Sequence, residues 1–468
     1  MAARREISSR TTVVTEVRSR FAEFYAGAEC SFVVRAPGRV NLIGEHTDYN
    51  GFPVFPMSLD RSICAAVQPR GDRMVILRST DPVYQSRTFE LDTRIPPYPG
   101  GDWGNYVKAG IQGVIDWPDR SRPLSELGGC NLLISGDVPA GAGLSSSSAM
   151  VVASALAFLE ANQVAYDRIR LAEMLAAAEH YVGTQGGGMD QAICLLGEAG
   201  NALKIDFFPL RTLAVPIPDG WSIVICNSLI QAEKTRAALR LYNRRPIECR
   251  IAVAMLEKEA GGPTGSIRRL ADLCACHTDI RGLLDYTEAF FHEDGYSWDD
   301  VVGFLREPPG KTMDRLGKMP DGSLFGEPED GFRLRKRVRH VLTEAIRVEE
   351  SVRCLSSGDA MAFGALMNDS HRSCRDDYEI SCPELDVLVQ TAQAAGAVGS
   401  RLTGAGFGGC AVSLVRDDLV DQFSTRVRDE YYERYLAVKR PDLVESVPTD
   451  DALFVSKPAR GAEVLKRW

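Results

Sequence analysis

The sequence predicts a two-domain protein that mixes α-helices and β-strands. Its 468 residues exceed what one hydrophobic core usually serves, so two moderate domains with a cleft between them are expected. Hydrophobic residues make up 45% of the chain and charged residues 25%, which is enough apolar material to bury real cores. Helical and strand-like patterns alternate along the chain, which predicts a folded protein of mixed class.

The first half alternates between the two patterns. Apolar spacing predicts a lead-in helix at 11–28, a short strand at 31–34, strand-like sequence over 55–77 and a further strand at 131–135. Alanine-rich sequence then predicts two helices, at 145–161 and 168–180.

The second half begins near residue 220, between strands predicted at 201–206 and 221–227. A long helix is predicted at 242–259 and another at 333–355, and residues 402–415 combine a glycine-rich turn with a strand. Residues 262–331 are polar and acidic, and they read as an insertion with short helices. The predicted domains are therefore 1–220 and 221–468.

Charge and cysteine content exclude several classes of partner. The formal net charge of −9 argues against nucleic acid as the principal ligand, because such proteins usually present a basic face. The twelve cysteines show no zinc spacing, which favours reduced thiols. No signal-peptide pattern and no apolar run of membrane-spanning length is seen, so a cytoplasmic protein without membrane partners is expected.

The clearest chemical signal is the serine segment, residues 139–149, which leads directly into a predicted helix. Its glycines let the backbone approach a ligand, and amides at a helix start favour negative charge, so we expect it to hold a phosphate. Its serines can cap the helix or reach a metal bound to the phosphates. The alternative is a flexible glycine-serine connector. No lysine of the Walker type is present, so Mg²⁺ or another part of the chain must neutralise the phosphates.

Two further segments are less specific. The signature segment, residues 35–51, crowds polar groups into an expected loop after a strand, where Glu45, His46 and Asp48 suit a polyol. The alternative is a solvated turn. The third glycine segment, residues 402–409, contains G-x-G-x-x-G, but a strand follows it, which excludes a dinucleotide fingerprint and leaves tight turns.

Two carboxylates are candidates for chemistry. Asp190 follows three glycines, where it could be a helix N-cap or a base held close to a substrate. Glu179 lies on the preceding predicted helix, where it could face the serine segment as a Mg²⁺ ligand or point to water.

In this order, these segments resemble the galactokinase branch of the GHMP small-molecule kinases. Residues 38–49 are similar to the signature peculiar to galactokinases, the serine segment to the shared phosphate-binding loop, and the third glycine segment to the third family motif. The resemblance extends through residues 103–107, 227–228, 242–250 and 370–385, and so covers most of the chain.

The resemblance implies a two-domain α+β fold, with a ribosomal-protein-like βαβ arrangement in the N-terminal domain, a ferredoxin-like C-terminal domain and the site in the cleft. It implies ATP-dependent phosphorylation of the anomeric hydroxyl of galactose, with Asp190 as the base and Arg39 as the cation that stabilises the transition state and orients it. The residues implied to hold the sugar are Arg39, Glu45, His46, Asp48, Gly187 and Tyr242. Those implied to wrap the ATP phosphates are Gly141, Gly143, Leu144, Ser145, Ser146 and Ser147. The implied Mg²⁺ contacts are Ser147 and Glu179.

Two departures from short bacterial galactokinases leave alternatives open. The glycine-rich stretch 183–188 and the insertion resemble the eukaryotic-type subgroup, which also contains N-acetylgalactosamine kinases. A second alternative is a sugar sensor that binds galactose and ATP without catalysis, although such proteins have lost part of the serine segment, which is intact here. A monomer is expected.

Overall fold

The computed structural model describes residues 13–183, 186–231, 236–261, 263–276, 279–319, 322–444 and 452–466. The strands are β1 Phe32–Ile43, β2 Phe55–Pro69, β3 Met74–Ser79, β4 Arg87–Glu90, β5 Cys130–Gly136, β6 Asn201–Asp206, β7 Arg211–Pro216, β8 Trp221–Asn227, β9 Gly399–Leu402, β10 Cys410–Arg416, β11 Leu453–Ser456 and β12 Glu463–Leu465. The α-helices are α1 13–19, α2 Phe21–Phe24, α3 Gly104–Asp116, α4 Ser146–Ala161, α5 Arg168–Ala178, α6 Met189–Leu196, α7 Arg236–Glu259, α8 Ile280–Phe290, α9 Trp298–Leu305, α10 Pro309–Leu316, α11 Leu334–Ser356, α12 Ala360–Asp376, α13 Pro383–Ala394, α14 Val420–Val427, α15 Ala437–Lys439 and α16 Pro441–Val444.

The first sheet has six strands in the order β12-β1-β2-β5-β3-β4. Only the β3–β5 pair is parallel among the pairs that the structure describes in it. Helix α4 packs on β1 and β2, and its apolar residues are buried nearly all round, as expected for a helix inside a core. Near the start of α4, the carbonyl oxygen of Leu144 accepts from the amide of Arg39 in the middle of β1.

The second sheet has four strands in the order β11-β8-β10-β9. Its core contains Val224, Leu388, Ala411 and Tyr432, all without solvent exposure. The third glycine segment joins β9 to β10, so it lies at one end of this sheet. The strand predicted after it is confirmed.

The predicted insertion contains the helices α8, α9 and α10, as expected. Their buried residues Leu283, Trp298 and Val301 join a core with Ile251 of α7 and Val338 of α11. The insertion is therefore packed against the long helices of the second half of the chain. No described helix combines the length and the apolar character needed to cross a membrane.

The chain returns to its starting sheet at the end. Strand β12 pairs antiparallel with β1, with Val33 opposite Leu465. The last strand described thus belongs to the sheet of the first half. The domain boundary near residue 220 stays a prediction.

One expectation about the signature segment is wrong. Residues 35–51 were expected as a loop after a short strand, but β1 continues to Ile43 and only residues 44–51, the signature loop, lie outside it. Pro37 and Gly38 lie within the paired strand, which has register shifts between Pro37 and Arg39 and between Asn41 and Ile43.

Candidate functional site

Asp190 lies in the first turn of α6. Gly188, the residue before this helix, has a left-handed conformation with φ 103°. Glycine adopts this conformation without steric cost, so the chain can turn sharply into the helix. The Asp190 side chain keeps 24% of its surface exposed. Its carboxylate is therefore both anchored and accessible.

Arg39 holds this carboxylate from the middle of β1. Its Nε donates to Oδ1 of Asp190 at 2.7 Å and its Nη2 donates to Oδ2 at 2.9 Å, a bidentate pair that fixes the orientation of the carboxylate. Its Nη1 donates to the carbonyl oxygen of Gly143 at 2.6 Å. One buried guanidinium thus ties the candidate base to the serine segment.

The serine segment meets Asp190 at the start of α4. Ser145, the N-cap residue, has φ 56°, and its hydroxyl donates to Oδ2 of Asp190. Gly141 and Gly143 have φ of 71° and 74°, so the segment turns without a steric penalty. Leu144 is buried, and its carbonyl oxygen accepts from the amide of Arg39 at 3.1 Å. Ser146 is the first residue of α4.

Glu179 follows α5 and faces the same helix start. Its carboxylate accepts a hydrogen bond from Ser148, whose hydroxyl also lies 3.4 Å from Asp190. Burial, followed by the nearby charge of Asp190, raises the pKa of Glu179 to about 7, against hydrogen bonds that lower it. Two carboxylates that repel each other are stabilised by a cation between them.

The donor set fits Mg²⁺, which prefers carboxylate and hydroxyl oxygens and keeps several waters and phosphate oxygens as ligands. Ser147 lies half-buried on the first turn of α4, one residue before the serine that contacts Glu179. No cluster of three or more His, Cys, Asp or Glu suited to a metal occurs among the residues that the structure describes. A Mg²⁺ ion here would therefore depend on few protein ligands.

The signature loop is buried and is held by the second half of the chain. Oε1 of Glu45 accepts from the amide of Gly404 at 2.8 Å and from Nη1 of Arg401 at 3.2 Å. Burial raises the pKa of Glu45, and Arg401 is the strongest opposing influence. The third glycine segment thus contacts the signature loop directly.

His46 lies inside a group of aromatic rings. Its Nδ1 is 2.9 Å from the hydroxyl of Tyr49, and its ring centroid is 5.6 Å from that of Tyr242 and 5.0 Å from that of Tyr378. Burial lowers the pKa of His46 to about 3, so the ring is neutral near pH 7. Burial also raises the pKa of Tyr242, which keeps its phenol a hydrogen-bond donor.

Asp48 and Gly187 are in contact next to Asp190. The amide of Gly187 donates to Oδ2 of Asp48 at 3.1 Å. A side chain at Gly187 has no room, because a Cβ there would lie 2.4 Å from both Cγ of Asp48 and the amide nitrogen of Tyr49. Burial raises the pKa of Asp48 to about 6, and the charge of Asp190 adds to the increase.

Hydrogen bonds and close contacts thus join most of the candidate residues into one region around Asp190. Sequence reasoning missed several residues that support them, and these are the partly buried Tyr49 and the buried Ser148, His340, Glu344, Tyr378, Arg401 and Thr403. Ser148 could have been found in the run of four serines. Tyr49 could have been found in the signature segment, three residues from its partner His46. The others carry no pattern of their own, because their partners in the loop and in β1 are distant in sequence.

Comparisons with known proteins find relatives that match most of the chain. The galactokinase galactose-binding signature matches residues 19–69, and the GHMP kinase N-terminal and C-terminal domains match residues 105–198 and 351–433. A galactokinase of Dictyostelium discoideum is 35% identical, over 96% of this chain and 93% of its own length. One of Roseiflexus sp. is 39% identical, over 89% of this chain and 92% of its own.

Solved structures show the same fold. A Lactococcus lactis galactokinase complexed with galactose has a TM-score of 0.75 and 29% identity, covering 96% of this chain and 99% of that one. A mevalonate kinase, at 17% identity, shares the fold with a TM-score of 0.52, over 91% of this chain and 98% of that one. With these relatives and this site, the chain belongs to the galactokinase family of GHMP kinases.

Proposed function

We propose that this chain transfers the γ-phosphoryl group of ATP to the anomeric hydroxyl of galactose, giving galactose 1-phosphate and ADP. The observation that carries the proposal is the hydrogen bond from Ser145, at the start of α4, to Asp190. It places a carboxylate beside a helix N-terminus that favours phosphate oxygens. Acceptor and donor would meet there, and the galactokinases among the relatives support this choice of substrate.

The sugar is held by Arg39 and by the residues around the signature loop, which are Glu45, His46, Asp48, Gly187 and Tyr242. Asp190 accepts the proton of the anomeric hydroxyl as its oxygen bonds to the γ-phosphorus and the bond to the bridging oxygen of ADP breaks. Arg39 keeps Asp190 oriented through its bidentate pair, and its charge stabilises the negative charge of the transition state.

The phosphates of ATP bind at the start of α4, against Gly141, Gly143, Leu144, Ser145, Ser146 and Ser147. Ser147 and Glu179 would hold Mg²⁺, which would neutralise charge on the phosphates. Ser148 keeps Glu179 turned towards this position.

Phosphoryl transfer from radiolabelled ATP to galactose, N-acetylgalactosamine, arabinose and glucuronate tests the proposal. We expect galactose to be the best acceptor, and none of the relatives named above favours the acetylated sugar or a sensor without catalysis. Absence of ADP release with every sugar would refute the kinase function, and preference for N-acetylgalactosamine would refute the choice of substrate.

A monomeric state and a cytoplasmic location are also proposed, from the sequence expectations alone. Light scattering of the purified chain at micromolar concentration measures the first, and fractionation of the cells that produce it measures the second. A dimer mass or a membrane-bound pool would refute them.

A further inference from the structure

Arg401 lies in β9, without solvent exposure, where the second half of the chain meets the signature loop. Its Nη1 donates to the carbonyl oxygen of Asn41 at 3.0 Å and to Oε1 of Glu45 at 3.2 Å, and its Nε donates to the hydroxyl of Ser370 at 3.0 Å. We propose that Arg401 is a positioning residue for sugar recognition, because it fixes the Glu45 carboxylate and keeps it charged. This inference rests on the proposed function.

The charge of Glu45 has few sources of compensation. Glu45 is 2% exposed, so water does not stabilise its carboxylate. Burial raises its pKa, and the largest opposing influence is Arg401, followed by Arg39 and the amide of Gly404. Arg39 is already engaged with Asp190 and Gly143. Arg401 is thus the principal counter-charge of this carboxylate.

Other charged and titratable groups pack around the same region from α11 and the signature loop. The Glu344 carboxylate lies 4.0 Å from Nη2 of Arg401 and accepts from the amide of Gly44 at 2.8 Å. Nε2 of His340 lies 3.1 Å from the carbonyl oxygen of Glu45, and Asp48 faces Gly187 on the other side of the loop. The contacts from Glu344 and His340 hold the backbone of the loop, whereas Arg401 and the amide of Gly404 hold the Glu45 side chain.

The loop needs this support because its backbone is strained. His46 has φ 61°, a left-handed conformation that is costly for a residue with a side chain and that persists only where surrounding contacts enforce it. Removing the guanidinium would leave Glu45 as a buried carboxylate without its main counter-charge, which favours its protonated form. A protonated Glu45 offers the sugar a weaker acceptor.

The experiment compares Arg401→Met with Arg401→Lys and with the control Arg35→Met. Arg35 is also a buried arginine, 3% exposed, but it pairs with Glu463 and contacts neither the signature loop nor the serine segment in any described hydrogen bond. For Arg401→Met we expect a KM for galactose raised about tenfold or more, with the KM for ATP unchanged and kcat within about threefold. The acid limb of kcat/KM for galactose should move to higher pH.

Arg401→Lys keeps the charge but loses the planar guanidinium group. It should therefore return the acid limb of kcat/KM to its wild-type position, while the KM for galactose stays raised. In a Glu45→Gln background, Arg401→Met should no longer shift the acid limb. Wild-type activity on galactose tests the proposed function separately. An unchanged KM for galactose in both Arg401 variants would overturn the inference, as would changes in stability and kinetics that match those of Arg35→Met.

Discussion

The signature loop and the serine segment differ in how far they are exposed to solvent. All residues of the signature loop from Gly44 to Asn50 are buried except Tyr49, and the second half of the chain contacts the amide of Gly44 and the carboxylate of Glu45. In the serine segment, Gly141 is exposed, and Gly143 and Ser145 are partly exposed. A sugar, with hydroxyls in fixed directions, needs prearranged side chains, whereas phosphates can be held by backbone amides that stay open to solvent.

Asp190 lies between the two regions, so changing it gives the largest effect. In Asp190→Asn we expect kcat to fall by about 10²–10⁴-fold, because the amide cannot accept the proton, while the Kd for galactose stays within about threefold. Single-turnover kinetics and calorimetry measure the two. Wild-type turnover would remove Asp190 from the proposed role.

A change at Glu179 tests whether the serine segment and its neighbours bind Mg²⁺. In Glu179→Gln we expect the Mg²⁺ concentration for half-maximal activity to rise about 10–100-fold, because a charged oxygen ligand is lost. Glu173→Gln, an exposed carboxylate on α5, is the matched control. A Mg²⁺ titration identical for the two variants would contradict the assignment.

Gly187 tests how rigid the signature loop is. In Gly187→Ala the new Cβ would collide with Asp48 and Tyr49, so we expect the KM for galactose to rise about tenfold with little change in the KM for ATP. Gly186→Ala is the control, because its Cβ would meet its nearest neighbour, Oε2 of Glu179, at an ordinary 3.7 Å. Equal KM values for galactose in the two variants would show that the loop yields easily.

The pH dependence of galactose binding should give the smallest effect. Since the pKa of Asp48 is raised to about 6, its carboxylate is protonated below that pH and loses acceptors for sugar hydroxyls. Calorimetry without ATP should show galactose bound up to about tenfold more weakly at pH 5 than at pH 8. Asp48→Asn should bind weakly with a flatter profile, and an unchanged slope in this variant would assign the dependence to another group.

Much of the fold could be predicted from local patterns. The helix predicted at 145–161 is α4, the strand at 221–227 is β8, and the helix at 333–355 is α11 within one residue at each end. These elements have clear periodicity that matches their burial. Helix α3 was not predicted from its pattern, and the run of β1 past Pro37 and Gly38 depends on pairing with β2, which no local signal shows.

The site residues also fall into those that local sequence indicates and those that it does not. Short segments rich in glycine and polar residues indicated Asp190, Glu45 and the serine segment, because local chemistry and the family resemblance mark them. Arg401 and Glu344 could not be found, since each contacts the signature loop from about 300 residues away or more, and nothing in their own neighbourhood indicates it.

The most direct test is a crystal structure with galactose and a non-hydrolysable ATP analogue. The account predicts the anomeric oxygen within about 3 Å of an Asp190 carboxylate oxygen, and the γ-phosphate against the first amides of α4. Galactose bound away from Asp190, or phosphates bound away from the start of α4, would contradict it.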